Sequence, residues 1–304
     1  MNIVGSYFHG RKKLIKMING LRFIVGNGCN YNCFFCHHEG YFNKEYLKID
    51  SEKLKKIYDF TQKNGINNIS ITGGEPFMYW DNTSKILNQF NSKYYIKTLN
   101  SNISLVDKYI EELKKLNSIE FHINLSSLNN IVHQKITGTK YLSHVLNNLE
   151  LLHNTKHKIC LNIPVLKGFN LNELKDLYQY AKERGFIPRF LVLMAVTDDF
   201  KKNVATIERI IDEFGGGNII DKYSYGLYKA KTPIGVIDIT KCLCDDMECD
   251  ICKKNTYMHL TPNLDIKYCM KSNDVVKIDF ENEKTIENSF EEANKRLELI
   301  KRWI

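Results

Sequence analysis

Cys29, Cys33 and Cys36 stand in the spacing Cys-x3-Cys-x2-Cys, inside the stretch Gly28-Cys29-Asn30-Tyr31-Asn32-Cys33-Phe34-Phe35-Cys36. Three thiolates in one short loop suit two kinds of metal chemistry. They can ligate three irons of a [4Fe–4S] cluster and leave the fourth iron open to an outside ligand, which serves catalysis better than electron storage. With His37 or His38 as a fourth ligand they can instead close a structural zinc site. A second group holds Cys242, Cys244, Cys249, Cys252 and Cys269, of which the last three have the spacing Cys-x2-Cys-x16-Cys. Cys160 stands apart. Nine cysteines, clustered and odd in number, fit metal binding better than a disulfide framework.

The elements that must position these thiols follow from hydrophobic patterning. Short β-branched runs at 21–25, 68–72, 95–99, 119–125, 158–164 and 187–193 alternate with longer amphipathic segments. Asp50-Ser51 opens one such helix, with Leu54, Ile57, Tyr58 and Thr61 on one face and Gly65 at the C-terminal cap. Residues 171–184 repeat the pattern and end at Gly185. Six strands alternating with helices predict an α/β fold with a parallel sheet, as a partial barrel or doubly wound. A parallel barrel puts its chemistry at the C-terminal ends of its strands, where the first cysteine loop falls. Gly73, Gly74, Glu75 and Pro76 end the second strand, also at that end. The glycines permit close backbone approach, and Glu75 can accept a hydrogen bond from an amino group. Gly215-Gly216-Gly217 breaks the pattern and divides the chain into 1–214 and 215–304. Beyond it, 257–260 and 266–269 read as a hairpin and 287–304 as a final helix.

Composition excludes little. The chain has 304 residues, 43% of them hydrophobic, enough for a large core and against disorder. The net charge is +8, but only seven of the 43 cations are Arg. The rest are Lys spread along helices, such as Lys55-Lys56 and Lys114-Lys115, and Glu111 stands four before Lys115. That reads as a solvated basic surface and not as a nucleic-acid stripe. No apolar run spans a membrane and no signal peptide opens the chain, so a cytoplasmic location is expected, where thiols stay reduced.

Cys29, Cys33 and Cys36, followed one βα unit later by Gly73-Gly74-Glu75-Pro76, resemble the radical S-adenosylmethionine (SAM) superfamily. The resemblance implies a partial (βα)6 TIM-like barrel in which the open iron is chelated by SAM, whose reductive cleavage yields a hydrogen-abstracting 5′-deoxyadenosyl radical. It implies that Cys29, Cys33 and Cys36 ligate the catalytic cluster. Gly73, Gly74, Glu75 and Pro76 then hold the methionine amino end, and Phe35 lies at the adenine. Asn100, Asn124, Ser126 and Met194 complete the cofactor set.

Within that superfamily, most of the chain (21–270) is similar to the GTP 3′,8-cyclases of the molybdopterin pathway. The likeness rests on Leu21-Arg22, on 123–128 with 135–138, on 161–168, on Arg189-Phe190 through Met194, and on His259-Leu260-Thr261 leading to Cys269. It implies an auxiliary [4Fe–4S] cluster at Cys249, Cys252 and Cys269, with Cys242 or Cys244 as a candidate fourth ligand or else a spare thiol. The cyclases hold their triphosphate and purine with several cations. Arg22 remains, but Ser70 stands for an Arg, Asn68 for a Lys, Cys160 for another Lys, and Tyr257 and His259 for two arginines, counting back from Cys269; counting forward from Cys252 places Lys254 and Thr256 at those two positions instead. Each lost charge-assisted hydrogen bond removes roughly 1.5–3 kcal/mol. The expected substrate is therefore a less phosphorylated small molecule or a peptide, lined by Arg22, Ser70, Cys160, Arg189, Tyr257 and His259. Cys160 also reads as plain core.

The competing enzyme functions are GTP 3′,8-cyclase itself and a ribosomal-peptide maturase. Only 28 residues precede Cys29, fewer than a usual peptide-recognition domain needs, which disfavours the maturase. An iron–sulfur or zinc binding module would need no Gly-Gly-Glu-Pro turn, and an RNA binder should interleave aromatic and basic residues on a sheet. The expected partners are the substrate and a reducing protein such as flavodoxin or ferredoxin, with no membrane and no nucleic acid.

Overall fold

The computed structural model describes residues 18–43, 45–194, 198–223, 226–241 and 256–300. Cys242, Cys244, Cys249 and Cys252 therefore lie outside the described residues. The fold is α/β, with parallel strands alternating with helices as in a partial (βα)6 barrel, plus additional strands near the C-terminus. The chain forms two compact units, and passes between them inside its third strand, after Leu99.

The first unit contains 18–28, 38–99 and 256–300. Its strands are β1 (Ile18–Ile24), β2 (Asn68–Thr72), the start of β3 (Ile96–Ser101), β10 (Thr256–Leu260) and β11 (Ile266–Lys267), in the order β11-β10-β1-β2-β3. β1 lies parallel to both β10 and β2, while β10 and β11 form the expected antiparallel hairpin. Alternation sorts the side chains. Leu21, Phe23, Ile69, Ile71, Leu99, Met258 and Leu260 form the buried apolar face. Helix α1 (Ser51–Asn64) is capped by Asp50, whose carboxylate accepts from Glu52 N and Lys53 N, and ends at Gly65 in the left-handed region. Both caps follow the sequence expectation. The final helix, Glu283–Leu299, begins four residues earlier than expected because Asn282 and Thr285 form a capping box. Its Phe290 stacks on Phe60 of α1 with ring centroids 4.3 Å apart.

The second unit contains 29–37 and 100–241 among the described residues. It holds β4 (Glu120–Asn124), β5 (Lys158–Val165), β6 (Ile187–Val192), β7 (Asn218–Lys222), β8 (Leu227–Thr232) and β9 (Gly235–Lys241), in the order β4-β5-β6-β9-β8-β7. The strands from β4 through β6 to β9 are parallel, and β8 and β7 are antiparallel additions. The three strands β7–β9 were not expected. They follow the glycine run directly, so that run ends one helix (Ile207–Glu213) and starts a new sheet edge. Phe121, Ile123, Leu161, Ile163, Phe190, Ile237 and Ile239 are fully buried on one face. Glu111 pairs with Lys114 at 2.7 Å and not with Lys115, since i,i+3 neighbours also share a helix face. No helix among the described residues is long and apolar enough to cross a membrane.

Candidate functional site

The cysteine loop belongs to the second unit, where the residues around it fix its path. Asn32 N donates to Thr137 O at 2.9 Å and Phe34 N to Ile136 O at 3.4 Å, both at the end of helix α4 (Asn130–Thr137). Phe34 lies against Phe169 and Phe200, with centroids 5.0 and 5.7 Å away. Phe35 packs on the buried cluster of Ile136, Leu166 and Phe200. Cys36 N closes a turn onto Cys33 O at 3.0 Å. Cys29 and Cys36 are exposed, whereas Cys33 is partly buried. Burial, and then the charges of Cys29 and Cys36, push the Cys33 thiol up to about 12.

That grouping tests the fit of a metal. The Cys33 thiol, held against ionisation by burial and by Cys29 and Cys36, needs a cationic partner to become a thiolate alongside them. No group of three His, Cys, Asp or Glu side chains among the described residues converges on a single ion. The donor set itself, three thiols in one short loop, matches a [4Fe–4S] cluster in which each thiolate takes one iron and the fourth iron stays open.

In the first unit, the Gly-Gly-Glu-Pro turn packs against the end of β1. Gly74 N donates to Gly26 O at 2.8 Å and Glu75 N to Gly28 O at 2.9 Å. A side chain at Gly74 would collide with the Gly28 carbonyl, and Gly73 has φ +143°. These glycines are required by backbone against backbone, immediately before Cys29. Glu75 is 1% exposed, and its carboxylate accepts from Phe77 N at 3.1 Å. Tyr79 Oη accepts from Gly28 N at 2.6 Å, which makes this loop aromatic a brace for the turn.

Both units have a polar strand face opposite the apolar one. In the first, a single row runs Lys267–His259–Arg22–Ser70–Thr98, with each residue the register partner of the next. Tyr257 pairs with Gly20 one level below, and burial pushes its phenol up despite Arg22. Arg22 faces Glu39 at 3.6 Å, and Thr72 Oγ1 donates to the same carboxylate at 2.9 Å. Glu39 is buried in a left-handed conformation (φ 52°), so what sequence reads as a plain turn aims a counter-ion at the row.

In the second unit the polar face carries Glu120, His122 and Asn124 on β4, Cys160 and Asn162 on β5, Arg189 on β6 and Asp238 on β9, in register across the strands. Glu120 accepts from His122 Nε2 at 2.7 Å, and that bond, with Arg189 and Lys158 nearby, holds its carboxyl low. Lys229 pairs with Asp238 at 2.9 Å. Cys160 is fully buried, and burial pushes its thiol up to about 11. Ser126 donates to Asn124 at 3.0 Å. Asn100 and Met194 are half-buried at the ends of β3 and β6. Sequence reasoning missed Glu39, Glu120, His122 and Asp238, although alternation within the strands pointed the last three to this face. Cys269, just beyond β11, is the one auxiliary-cluster cysteine within the described residues.

Residues 23–181 match the model of the radical SAM superfamily. A GTP 3′,8-cyclase of Clostridium botulinum is 30% identical over 282 residues, covering 87% of this chain and 83% of that protein. A probable GTP 3′,8-cyclase of Archaeoglobus fulgidus is 26% identical over 87% of this chain and 90% of its own. Among solved structures, Streptococcus suis SuiB bound to the precursor peptide SuiA aligns with TM-score 0.64 at 16% identity, over 94% of this chain and 69% of that one. Native anSMEcpe with bound AdoMet aligns with TM-score 0.60 at 15% identity, over 91% and 82%. These two likenesses are of fold.

Proposed function

The chain belongs to the radical SAM superfamily as a distant homologue of the GTP 3′,8-cyclases, and from that premise we propose that it acts on a less phosphorylated small molecule or a peptide. Cys29, Cys33 and Cys36 would hold the superfamily's [4Fe–4S] cluster. Gly73, Gly74, Glu75, Pro76, Phe35, Asn100, Asn124, Ser126 and Met194 would hold SAM. When bound, cluster and SAM supply a 5′-deoxyadenosyl radical that abstracts hydrogen from the substrate. The protein's part is to orient both molecules and exclude water.

The observation carrying the substrate reading is that three cations of the polar faces have carboxylates beside them, while a fourth, Lys267, donates to the Ser272 carbonyl. Glu39 faces Arg22, Asp238 binds Lys229 and Glu120 lies in the field of Arg189. A triphosphate needs uncommitted positive charge. Arg22 Nε and Arg189 Nε are buried without a hydrogen-bond partner among the described residues. Such donors suit a carbonyl, hydroxyl or single carboxylate. We assign Cys249, Cys252 and Cys269 to an auxiliary [4Fe–4S] cluster, with Cys242 or Cys244 as a fourth ligand, and a flavodoxin or ferredoxin as electron donor.

The alternative, GTP cyclisation, is favoured by similarity over most of the chain. Anaerobic reconstitution separates the parts. About eight irons per chain are expected, and four or fewer would remove the auxiliary cluster. Dithionite and SAM should release 5′-deoxyadenosine from the wild type and none from Cys33→Ala. Conversion of GTP to a cyclised nucleotide would overturn the substrate reading while leaving the radical chemistry intact.

A further inference from the structure

Where the chain leaves β3, the side chains of Asn30, Asn102 and Ser104 close a ring of hydrogen bonds inside the second unit. Asn102 Nδ2 donates to Asn30 Oδ1 at 3.0 Å and to Cys29 Sγ at 3.8 Å. Asn102 Oδ1 accepts from Ser104 N at 2.9 Å and from Ser104 Oγ at 2.7 Å. Asn30 Nδ2 completes the ring by donating to Ser104 Oγ at 2.7 Å. Asn102 and Ser104 are 7% and 3% exposed.

The proton inventory leaves one orientation. A backbone N–H only donates, so the Asn102 atom facing Ser104 N must be the amide oxygen. The NH2 group then necessarily faces Asn30 and Cys29. Ser104 has one hydroxyl proton, which goes to Asn102, and its lone pairs receive Asn30. Each bond in the ring thus fixes the direction of the next. The ring ends with the Asn102 NH2 group directed at Cys29 Sγ, which also accepts from Tyr31 N at 3.4 Å.

We infer that Asn102 is a positioning residue that sets the reduction potential of the cluster held by the Cys29 loop, an inference that rests on the cluster reading above. One-electron reduction adds negative charge to the cluster and its thiolates. An N–H aimed at a ligand sulfur stabilises that added charge and raises the potential. The buried ring keeps the dipole in place through the redox change, so no reorientation opposes it. The electron itself comes from a low-potential one-electron donor.

The test uses the reconstituted full-length protein, titrated potentiometrically and read by electron paramagnetic resonance at the signal that SAM perturbs. Asn102→Leu keeps the side chain's bulk and removes the donor. At a fixed potential its ratio of reduced to oxidised cluster should fall about tenfold, which is about 59 mV for a one-electron couple. Ser104→Ala loosens the same ring but leaves the Ser104 N–H to orient Asn102, and should move the ratio by less than about twofold, or about 18 mV at the same one-electron conversion. A purely structural ring predicts equal effects from both. Iron content near wild type with an unchanged potential in Asn102→Leu overturns the inference. Should that variant not load, the wild type decides: with 15N in the Asn side chains, pulsed resonance of the reduced cluster should show a coupled nitrogen, and its absence overturns the inference. Failure of the wild type to bind any cluster through Cys29, Cys33 and Cys36 would instead sink the cluster reading itself.

Discussion

Cys160 shows how a residue's surroundings decide its chemistry. It lies on the polar face of β5 beside His122 in register, yet it is fully buried and its thiol donates toward Asn162 Oδ1 at 3.9 Å. Burial lifts its ionisation from 9.0 to about 11, so it stays a thiol at neutral pH. In the apo-protein at pH 8, iodoacetamide should modify exposed Cys29 and Cys36 and spare Cys160 until the chain is unfolded, as peptide mapping would record. Below pH 9 both folded and unfolded forms carry the neutral thiol, and its contribution is fully present. Between 9 and about 11 only the unfolded chain ionises, and stability falls by at most about 3 kcal/mol. Denaturant titrations of wild type and Cys160→Ala should diverge in that window, and parallel curves would place the thiol in contact with water. The core reading of Cys160 was legible from its place in an apolar run. The ring of Asn30, Asn102 and Ser104 was not, because its members are up to 74 residues apart and polar loop residues have no periodic signature.

At the scale of elements, helix α4 does more than cover the sheet. Its last turn supplies the carbonyls of Ile136 and Thr137 to the cysteine loop, and Gly138 ends it in the left-handed region. His133, on the same helix, is 1% exposed, with both ring nitrogens lacking a hydrogen-bond partner among the described residues. Its ring meets the edge of Tyr31, between Cys29 and Cys33, at 6.0 Å. Burial lowers its proton affinity, so the folded protein keeps it neutral. The unfolded chain binds the proton first as pH falls. The stability this residue contributes is therefore present above about pH 6.5 and is lost as pH drops through the lower folded value. His133→Leu should flatten the loss of thermal stability between pH 7 and 5, and an unchanged slope would show that the imidazole is solvated. Caps were legible at this scale: Asp50 and Gly65 act through bonds within one turn. The strands β7–β9 were not, because β7 is exposed along its whole length and owes its shape to pairing with β8, not to its own pattern.

For the whole molecule, the charge of +8 says less than how charge is paired. Most of the cations are Lys, spread over helices, strands and loops, whereas Arg22 and Arg189 of the polar faces lie near carboxylates. Glu39 is the sharpest case. It stands in a strained left-handed conformation, 3.6 Å from Arg22, and receives the Thr72 hydroxyl. A carboxylate there offsets the Arg22 charge before any ligand arrives and repels phosphate as well. Glu39→Gln removes that charge while its amide oxygen can still accept from Thr72. If Glu39 selects against polyanions, this variant should bind GTP about tenfold more tightly than wild type in calorimetry, since one charge-assisted contact is worth at least about 1.4 kcal/mol. The gain should shrink as salt rises. Binding of a neutral nucleoside, guanosine, should not change, which separates charge from shape. Equal GTP affinity in the two proteins would mean that Arg22 does not face the ligand. Tight GTP binding by the wild type would mean that the paired charges rearrange for it, and the cyclase reading would gain. The outcome turns on a residue that sequence alone reads as a turn, because only the folded chain brings Glu39 to Arg22.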